Sequence, residues 1–421
     1  MKGIFKTEIN RRRFLKFLAA SPLFTAMGGI GAIFKDFEEK HAFDSGSSQQ
    51  LRSLIDDVIN SAEEAINVFD FEPVAKLNLP PAHFGYLATG VEGDKTLLAN
   101  REAFSRIYLR PRRLVDVSSV DMKTELFDSS LSSPIIIAPA GSQKAFHSDG
   151  ELAVAKAAKN QNNLQILSTV STSSIEDVTY ARGEPVWYQL YPTTKWDIAK
   201  SMIQRAEKME SPVLVLTVDV PTLTNRETER RFKKLDDRDC SSCHSQGIQG
   251  FLERKPMFDG TNKPELKGLL FPAMTWDFVK KLKDFTSLKI VLKGIVTYED
   301  ASLCVEHKVD GIIVSNHGGR AEESGRATID SLPEVLSAVN GKIPVLVDCG
   351  FRRGSDIFKG LALGANAICI GRPYLWGLAA FGQEGVEVVL KILKAELKTV
   401  MMFAGTKKVS DINSAYIRRY D

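Results

Sequence analysis

Five cysteines in 421 residues are too few for a disulfide scaffold. Three of them, Cys304, Cys349 and Cys369, lie inside apolar runs, where a buried free thiol is the expected state. An excess of charge of either sign is also missing. A net charge of +3 over this length makes no basic field for nucleic acid, which excludes that class of partner. Short solenoid repeats are absent as well. What is present is a hydrophobic fraction of 43% beside 25% charged residues, the balance of an ordinary soluble globular protein. The length allows one large domain with appendages and does not require two equal domains.

The N-terminus reads as an address. Asn10-Arg11-Arg12-Arg13-Phe14-Leu15-Lys16 precedes an apolar stretch over 17–34. This is the order of the basic and hydrophobic regions of an export signal, and the paired arginines before Phe-Leu-Lys resemble a twin-arginine signal. A basic amphipathic surface helix is the alternative. No Ala-x-Ala cleavage site follows, so the expectation is an exported, periplasmic protein whose segment 1–34 is either a signal or a retained membrane anchor. Residues 35–75 are polar and helix-prone, with 45–50 as a linker.

From residue 134 onward, short apolar and β-branched runs alternate with amphipathic stretches of helical length, the pattern of repeated βα units. Eight runs predict strands at 134–138, 165–170, 186–191, 213–220, 289–293, 311–315, 344–348 and 367–371. Eight parallel strands with intervening helices argue for a closed (β/α)8 TIM barrel. The gap 221–275, between the fourth and fifth strands, is out of scale and predicts a long insertion over the active-site face. The expected organisation is therefore a signal or anchor over 1–34, a helical extension over 35–75, a barrel domain over 76–410 and a tail over 411–421.

Nearly every unusual polar residue falls at the C-terminal end of a strand, where a barrel builds its active site. Ala140-Gly141 follow the first strand, Ser168 the second, Gln189 and Tyr191 the third, and Thr217 and Asp219 the fourth. Lys293 ends the fifth, Ser315 to Arg320 the sixth, Asp348 to Gly354 the seventh, and Gly371-Arg372 the eighth. A chance scatter would not respect strand ends eight times over. Gly350-Phe351-Arg352-Arg353-Gly354 and Gly371-Arg372 combine glycines, which let backbone N–H groups approach closely, with arginines that match phosphate oxygens. This predicts a phosphate site for either a phosphorylated substrate or FMN. Lys293 follows a buried strand and suits a Schiff base, a phosphate contact or the charge of a reduced flavin. His317 has the pKa range of a proton acceptor near neutrality. A lone histidine is more often structural, but Asp219 offers a partner for its imidazolium and Arg320 a clamp for a substrate carboxylate.

These residues resemble the FMN-dependent α-hydroxy-acid oxidase and dehydrogenase family, which includes glycolate oxidases, lactate oxidases and flavocytochrome lactate dehydrogenases. The segments that carry the resemblance are Ser315-Asn316-His317-Gly318-Gly319-Arg320, Val347 through Gly354, and Leu363-Gly364-Ala365 through Gly371-Arg372-Pro373. The resemblance implies FMN as cofactor and a small (S)-2-hydroxy acid as substrate. It makes His317 the base, Asp219 its partner, Arg320 and Arg226 the carboxylate clamps, and Tyr86 and Tyr191 the tyrosines that line the substrate. It places Ala140, Gly141, Ser168, Gln189, Thr217, Lys293, Ser315, Asp348, Gly350, Arg352, Gly371 and Arg372 around the flavin. A homo-oligomer, commonly a tetramer, is also implied.

Three features depart from glycolate-oxidase-like members. Val170 stands where a tryptophan often lines the pocket, leaving room for a larger side chain. Gly141 replaces the usual alanine of oxidases and resembles members that pass electrons to acceptors other than oxygen, such as a cytochrome or a quinone. Within the insertion, Cys240-Ser241-Ser242-Cys243-His244 matches the C-x-x-C-H pattern of covalent haem c. A disulfide, two free thiols or a metal clip fit the same residues.

Overall fold

The computed structural model describes residues 58–127, 129–238, 247–261 and 269–420. The segment 1–34 and the residues Cys240, Cys243 and His244 lie outside these described residues. Eight parallel strands close into a barrel: β1 (Ile135–Ile137), β2 (Leu164–Ser168), β3 (Trp187–Leu190), β4 (Val213–Thr217), β5 (Lys289–Ile295), β6 (Gly311–Val314), β7 (Val345–Val347) and β8 (Ala367–Ile370). The closed ring follows chain order, with β8 beside β1, and helices on the outside connect the strands. All eight expected strands are present.

Alternation along each strand divides the core in two. Leu214, Leu216, Ile312, Val314, Val345 and Val347 point outward and pack under the helices. Ile136, Ile166, Trp187, Val213, Val215, Val291, Ile313, Leu346 and Cys369 fill the interior. An antiparallel hairpin of Thr124–Leu126 and Ser129–Leu131 closes the lower end, where Leu126, Phe127 and Leu131 pack on the interior cluster. The barrel is thus plugged at the N-terminal ends of its strands. Chemistry is left to the other end.

Most strand limits fall within two residues of expectation, and two differ for a reason the packing shows. The fourth strand leaves the ladder at Thr217, so residues 218–220 are loop. The fifth runs past Lys293 to Ile295, with a register shift against β6 between those residues. Gly294 sits at the shift with φ +113°, and a Cβ there would lie 2.5 Å from the Asp219 Cβ. Glycine and bulge together make room for the aspartate in the loop that follows the neighbouring strand.

Before the barrel, helices Phe71–Asn78, Pro81–Ala88 and Lys95–Glu102 wrap the open end. The second carries Tyr86. It packs against Glu227–Lys233 of the insertion so closely that a Cβ on Gly85 would meet the Phe232 Cβ at 2.3 Å. The segment 411–421 contains the strand Ile417–Arg419, which pairs antiparallel with Ile107–Leu109. Among the described residues, no helix is long and apolar enough to cross a membrane.

Candidate active site

Extending the inward alternation by one or two steps beyond each strand leads straight to the polar set. Val215 is followed on the same face by Thr217 and Asp219, Ile313 by Ser315 and His317, Val291 by Lys293, Leu346 by Asp348, and Ile166 by Ser168. The sequence therefore switches from apolar to polar on one face as each strand emerges from the plugged interior.

At the centre, His317 Nδ1 lies 2.9 Å from Asp219 Oδ1. Burial favours a protonated carboxyl, but His317 and Lys293 overcome it and hold Asp219 below the usual carboxylate range. Burial, only partly opposed by Asp219, pulls His317 below the ordinary histidine value. A neutral imidazole beside an ionised carboxylate carries its proton on Nδ1, so Nε2 presents a lone pair. The Tyr191 hydroxyl lies 3.3 Å from that Nε2.

The loop that holds the imidazole is unusual. His317, Gly318 and Gly319 all have φ near the left-handed region, at +58°, +74° and +74°. Side chains hold this turn in place. Asn316 Oδ1 accepts from Gly319 N at 2.9 Å, and Asn316 exchanges a reciprocal pair of amide bonds with Asn100 at 2.9 and 3.0 Å. Ser315 Oγ accepts from His317 N at 3.1 Å and from Lys293 Nζ at 2.9 Å.

Lys293 lies 3.6 Å from Asp348 Oδ2 and 3.9 Å from Asp219 Oδ2. Burial lowers the pKa of an ammonium, but here the two carboxylates outweigh it and raise that of Lys293. Cys349 continues the chain. Its thiol donates to Asp348 Oδ1 at 2.7 Å and accepts from Gly318 N at 3.0 Å. Cys349 was expected among the buried thiols. It is instead half-buried and lines the cavity, because φ +71° turns its side chain out of the β7 ladder. Burial and the Asp348 carboxylate push the thiol well up, so it stays protonated.

Arg320 faces the same cavity. Its guanidinium donates through Nη1 to the carbonyls of Tyr86 and Thr89 and lies 4.4 Å over the Tyr86 ring, while Nη2 is buried without a partner. Burial, together with the Arg226 charge, lowers its pKa to about 10. A buried donor with no acceptor is costly, so this end of the cavity is built for an anion.

At the other end, Arg352 is 6% exposed and its Nε is also buried without a partner. Burial, with the nearby charges of Arg372 and Arg101, pulls it to about 9. Gly371 precedes the helix Arg372–Ala404, and a Cβ there would meet no atom within 4 Å. Space, crowded cations, an orphaned N–H and a helix N-terminus all call for a phosphate. Arg372 differs from expectation in one respect: its N–H groups donate to the carbonyls of Leu87, Gly318 and Thr89, so it also fastens the Tyr86 helix to the His317 loop.

Most of the expected site residues line this one cavity. Asp219 and Ser315 reach it only through His317 and Lys293, and Gln189 and Thr217 do not line it either. The last two form a layer just below, where Ser168 Oγ donates to Gln189 Oε1 at 3.0 Å and Gln189 Nε2 to Thr217 Oγ1 at 2.9 Å. Arg226 stands outside in an adjoining chamber, 3.7 Å from Glu229. Asn100, Asn316, Asp94 and Cys349 were not singled out as site residues. Asp94 accepts from Gly90 N and from the Thr228 hydroxyl, joining the Tyr86 turn to the Arg226 helix. Asn316 stood inside the quoted motif, whereas Asn100 is 216 residues away from it and carries no local signal.

A demand for phosphate at one end of a cavity and for a carboxylate at the other, with a base between, describes an α/β-barrel enzyme that holds a phosphorylated cofactor against a small anionic substrate. The FMN-dependent dehydrogenase profile matches residues 75–419, and the chain belongs to that family. The chain is 42% identical over 356 residues to the peroxisomal (S)-2-hydroxy-acid oxidase GLO4 of Oryza sativa subsp. japonica, covering 84% of this chain and 95% of that protein. It is 39% identical to the L-lactate oxidase of Nostoc sp., covering 84% and 98%. Among solved structures, mandelate oxidase with (S)-2-phenylpropionate is similar with a TM-score of 0.74 and 33% identity, over 85% of this chain and 98% of that one. A doubly substituted flavocytochrome b2 with pyruvate bound gives 0.76 and 30%, over 88% and 90%. The cavity fits the flavin these relatives imply: its orphaned Arg352 Nε and open Gly371 suit the phosphate.

Proposed function

We propose that the protein oxidises an (S)-2-hydroxy acid, lactate or larger, to the 2-oxo acid, and that His317 is the base. The observation that carries this reading is His317 Nδ1 bonded to ionised Asp219, with Nε2 facing the cavity that holds the unpartnered Arg320 Nη2. Arg320 clamps the substrate carboxylate, and Arg226 adds positive charge from the outer side. Tyr191 and Tyr86 flank the hydroxyl-bearing carbon. His317 Nε2 takes the substrate proton, and Asp219 stabilises the imidazolium that results. FMN, when bound, supplies the two-electron acceptor. Ser168, Gln189, Thr217 and Ser315 would supply the polar layer beneath its ring, Ala140 and Gly141 would face it, and Asp348, Gly350, Arg352, Gly371 and Arg372 would hold its ribityl and phosphate end. Lys293, kept protonated by Asp219 and Asp348, offsets the charge the ring gains. Anaerobic bleaching of the flavin by a panel of (S)-2-hydroxy acids tests the reading. His317→Ala should retain flavin and lose the bleaching; rapid reduction in that variant refutes the assignment.

The electrons, in this proposal, pass to a cytochrome or quinone-type acceptor. What supports this is Gly141, which stands where the oxidases this chain resembles usually carry alanine; here its Cα packs on Val170, whose Cγ2 would lie 2.4 Å from a Cβ. A second reading, an oxidase that makes hydrogen peroxide, is favoured by relatives whose names are those of oxidases. Oxygen uptake compared with reduction of an artificial acceptor separates the two. The paired arginines before the apolar 17–34 stretch support export to the periplasm, with the segment either a removed signal or a retained membrane anchor, which fractionation and the mature N-terminus test. The Cys240, Cys243 and His244 pattern supports a covalent haem c; an unmodified intact mass after expression in a haem-competent, exporting host eliminates it.

A further inference from the structure

The insertion after β4 meets the barrel at a buried charge. Lys255 is 2% exposed, and its Nζ donates to Ser142 Oγ at 2.6 Å while lying 4.7 Å from the Phe251 ring centroid. Burial pulls the ammonium to about 8, with the Glu151 carboxylate acting the other way and the Arg254 charge adding to the fall. Glu151 is itself fully buried and joins two active-site loops. It accepts from Gln143 N at 3.1 Å in the loop after β1, and from Thr172 N at 2.8 Å, Thr172 Oγ1 at 2.6 Å and Ser173 Oγ at 3.3 Å in the loop after β2. The residues beside Lys255 are anchored too: Leu252, Met257 and Phe258 are fully buried, and Arg205 donates to the Pro256 carbonyl at 2.6 Å. An ammonium is placed at such a depth only when its position matters, since burying it is costly.

What Lys255 holds are the walls of the outer chamber. That chamber, of about 640 Å³, opens from the active site past His317, Tyr86 and Tyr191, and includes Val170 and Phe251 in its lining. Phe251 sits under the Lys255 ammonium. Val170 is tied to the same point from the other side, because its carbonyl accepts from Ser142 N at 3.0 Å and Ser142 is the hydroxyl Lys255 grips. Farther out the chamber is charged: Arg226, Arg230 and Lys233 line it with a single carboxylate, Glu229, which Arg226 and Lys233 face at 3.7 and 2.6 Å, so it keeps a net positive charge. Beside that charge, Val170, Val220, Leu223, Phe251, Leu269 and Leu270 give the chamber an apolar lining.

Building on the 2-hydroxy-acid reading above, we infer that Lys255 is a positioning residue for substrate selection: it fixes Phe251 and Val170 as walls of a subsite for an extended apolar side chain at C2. The insertion then discriminates between substrates by shape, and the reactive end is left to the barrel.

The test uses the flavin-loaded full chain with L-lactate and (S)-2-hydroxyoctanoate, comparing kcat/KM for each and the Kd of pyruvate and 2-oxooctanoate from the perturbed flavin spectrum. In Lys255→Met, the ratio of kcat/KM for hydroxyoctanoate over lactate should fall at least about tenfold, and the Kd ratio should move in parallel, the scale expected when contacts to one or more methylenes are lost. Lys255→Arg should restore much of the ratio. Phe251→Ala, which removes the wall and leaves the buried charge in place, should give the same selective loss and covers the case in which Lys255→Met does not fold. An unaltered ratio in Phe251→Ala, or equal losses on both substrates in Lys255→Met, overturns the inference. Failure of every 2-hydroxy acid to reduce the wild-type flavin would instead count against the function on which it rests.

Discussion

Replacing Asp219 by asparagine removes one charge and leaves the shape of the site nearly unchanged. The carboxylate is 2.9 Å from His317 Nδ1 and 7% exposed. With charge centres about 4 Å apart at an effective dielectric of about 20, the attraction that favours the imidazolium is about 4 kcal/mol. It develops only as the ring takes a proton, so its loss falls on the reaction barrier. At about 1.4 kcal/mol per factor of ten, flavin reduction should slow about a thousandfold. The pH profile gives a second reading. His317 already titrates below the ordinary histidine value, so in the wild type reduction should fall off only as pH drops below about 6.5. Asp219 raises the histidine pKa, so without it the acid limb should move to still lower pH even as the rate falls at every pH. Anaerobic stopped-flow bleaching with saturating substrate measures both, and the flavin spectrum verifies loading. A rate within tenfold of wild type, or an acid limb shifted to higher pH, would refute the pairing argument.

Arg352→Met should weaken FMN binding by about 1.5–3 kcal/mol, roughly ten- to hundredfold, as read from flavin fluorescence in titrations of apoprotein. The same change should make the apoprotein more heat-stable, because it removes a buried guanidinium held among like charges. Gly294→Ala should cost about 1–3 kcal/mol in urea unfolding and slow reduction, since the new Cβ is strained at φ +113° and displaces Asp219; wild-type behaviour in both measurements would contradict the account of the bulge. Asn316→Ala should destabilise by about 1–3 kcal/mol by stranding Gly319 N and the Asn100 amide, with reduction slowed at unchanged flavin content.

The barrel was legible because its strands are buried on both sides and read as continuous apolar runs, and because function begins where those runs stop. His317, Asp219 and Lys293 stood out as candidates by place, at or just beyond the ends of those runs. The strand limits were less legible. Nothing local marks Val218 as loop, or Ile295 as strand, because the bulge at Gly294 answers to the bulk of Asp219 in the loop after a neighbouring strand. Long-range partners were hidden for the same reason: Asn100 acts on the His317 loop across 216 residues. Cys349 was hidden by its company, since a thiol after Leu-Val-Asp looks like core until the backbone turns left-handed and sets it into the cavity. The insertion was legible only as a length. Its attachment through Lys255 depends on Ser142 and Glu151, more than a hundred residues earlier.

The crowding of Arg352, Arg372 and Arg101 around an orphaned N–H has a consequence for the life of the protein in the cell. Glu72 and Asp356 offset these cations only in part, so the chain is at its weakest before its cofactor arrives. At a free concentration a hundred times the dissociation constant, a ligand that binds only the folded form adds about 2.7 kcal/mol of stability. Flavin supply would then govern abundance as well as activity: chains that never load are the first to be lost to proteolysis, and the pool that survives quality control is already equipped to work. The matching observation would be a melting temperature that climbs with added FMN and a steady-state level that tracks it.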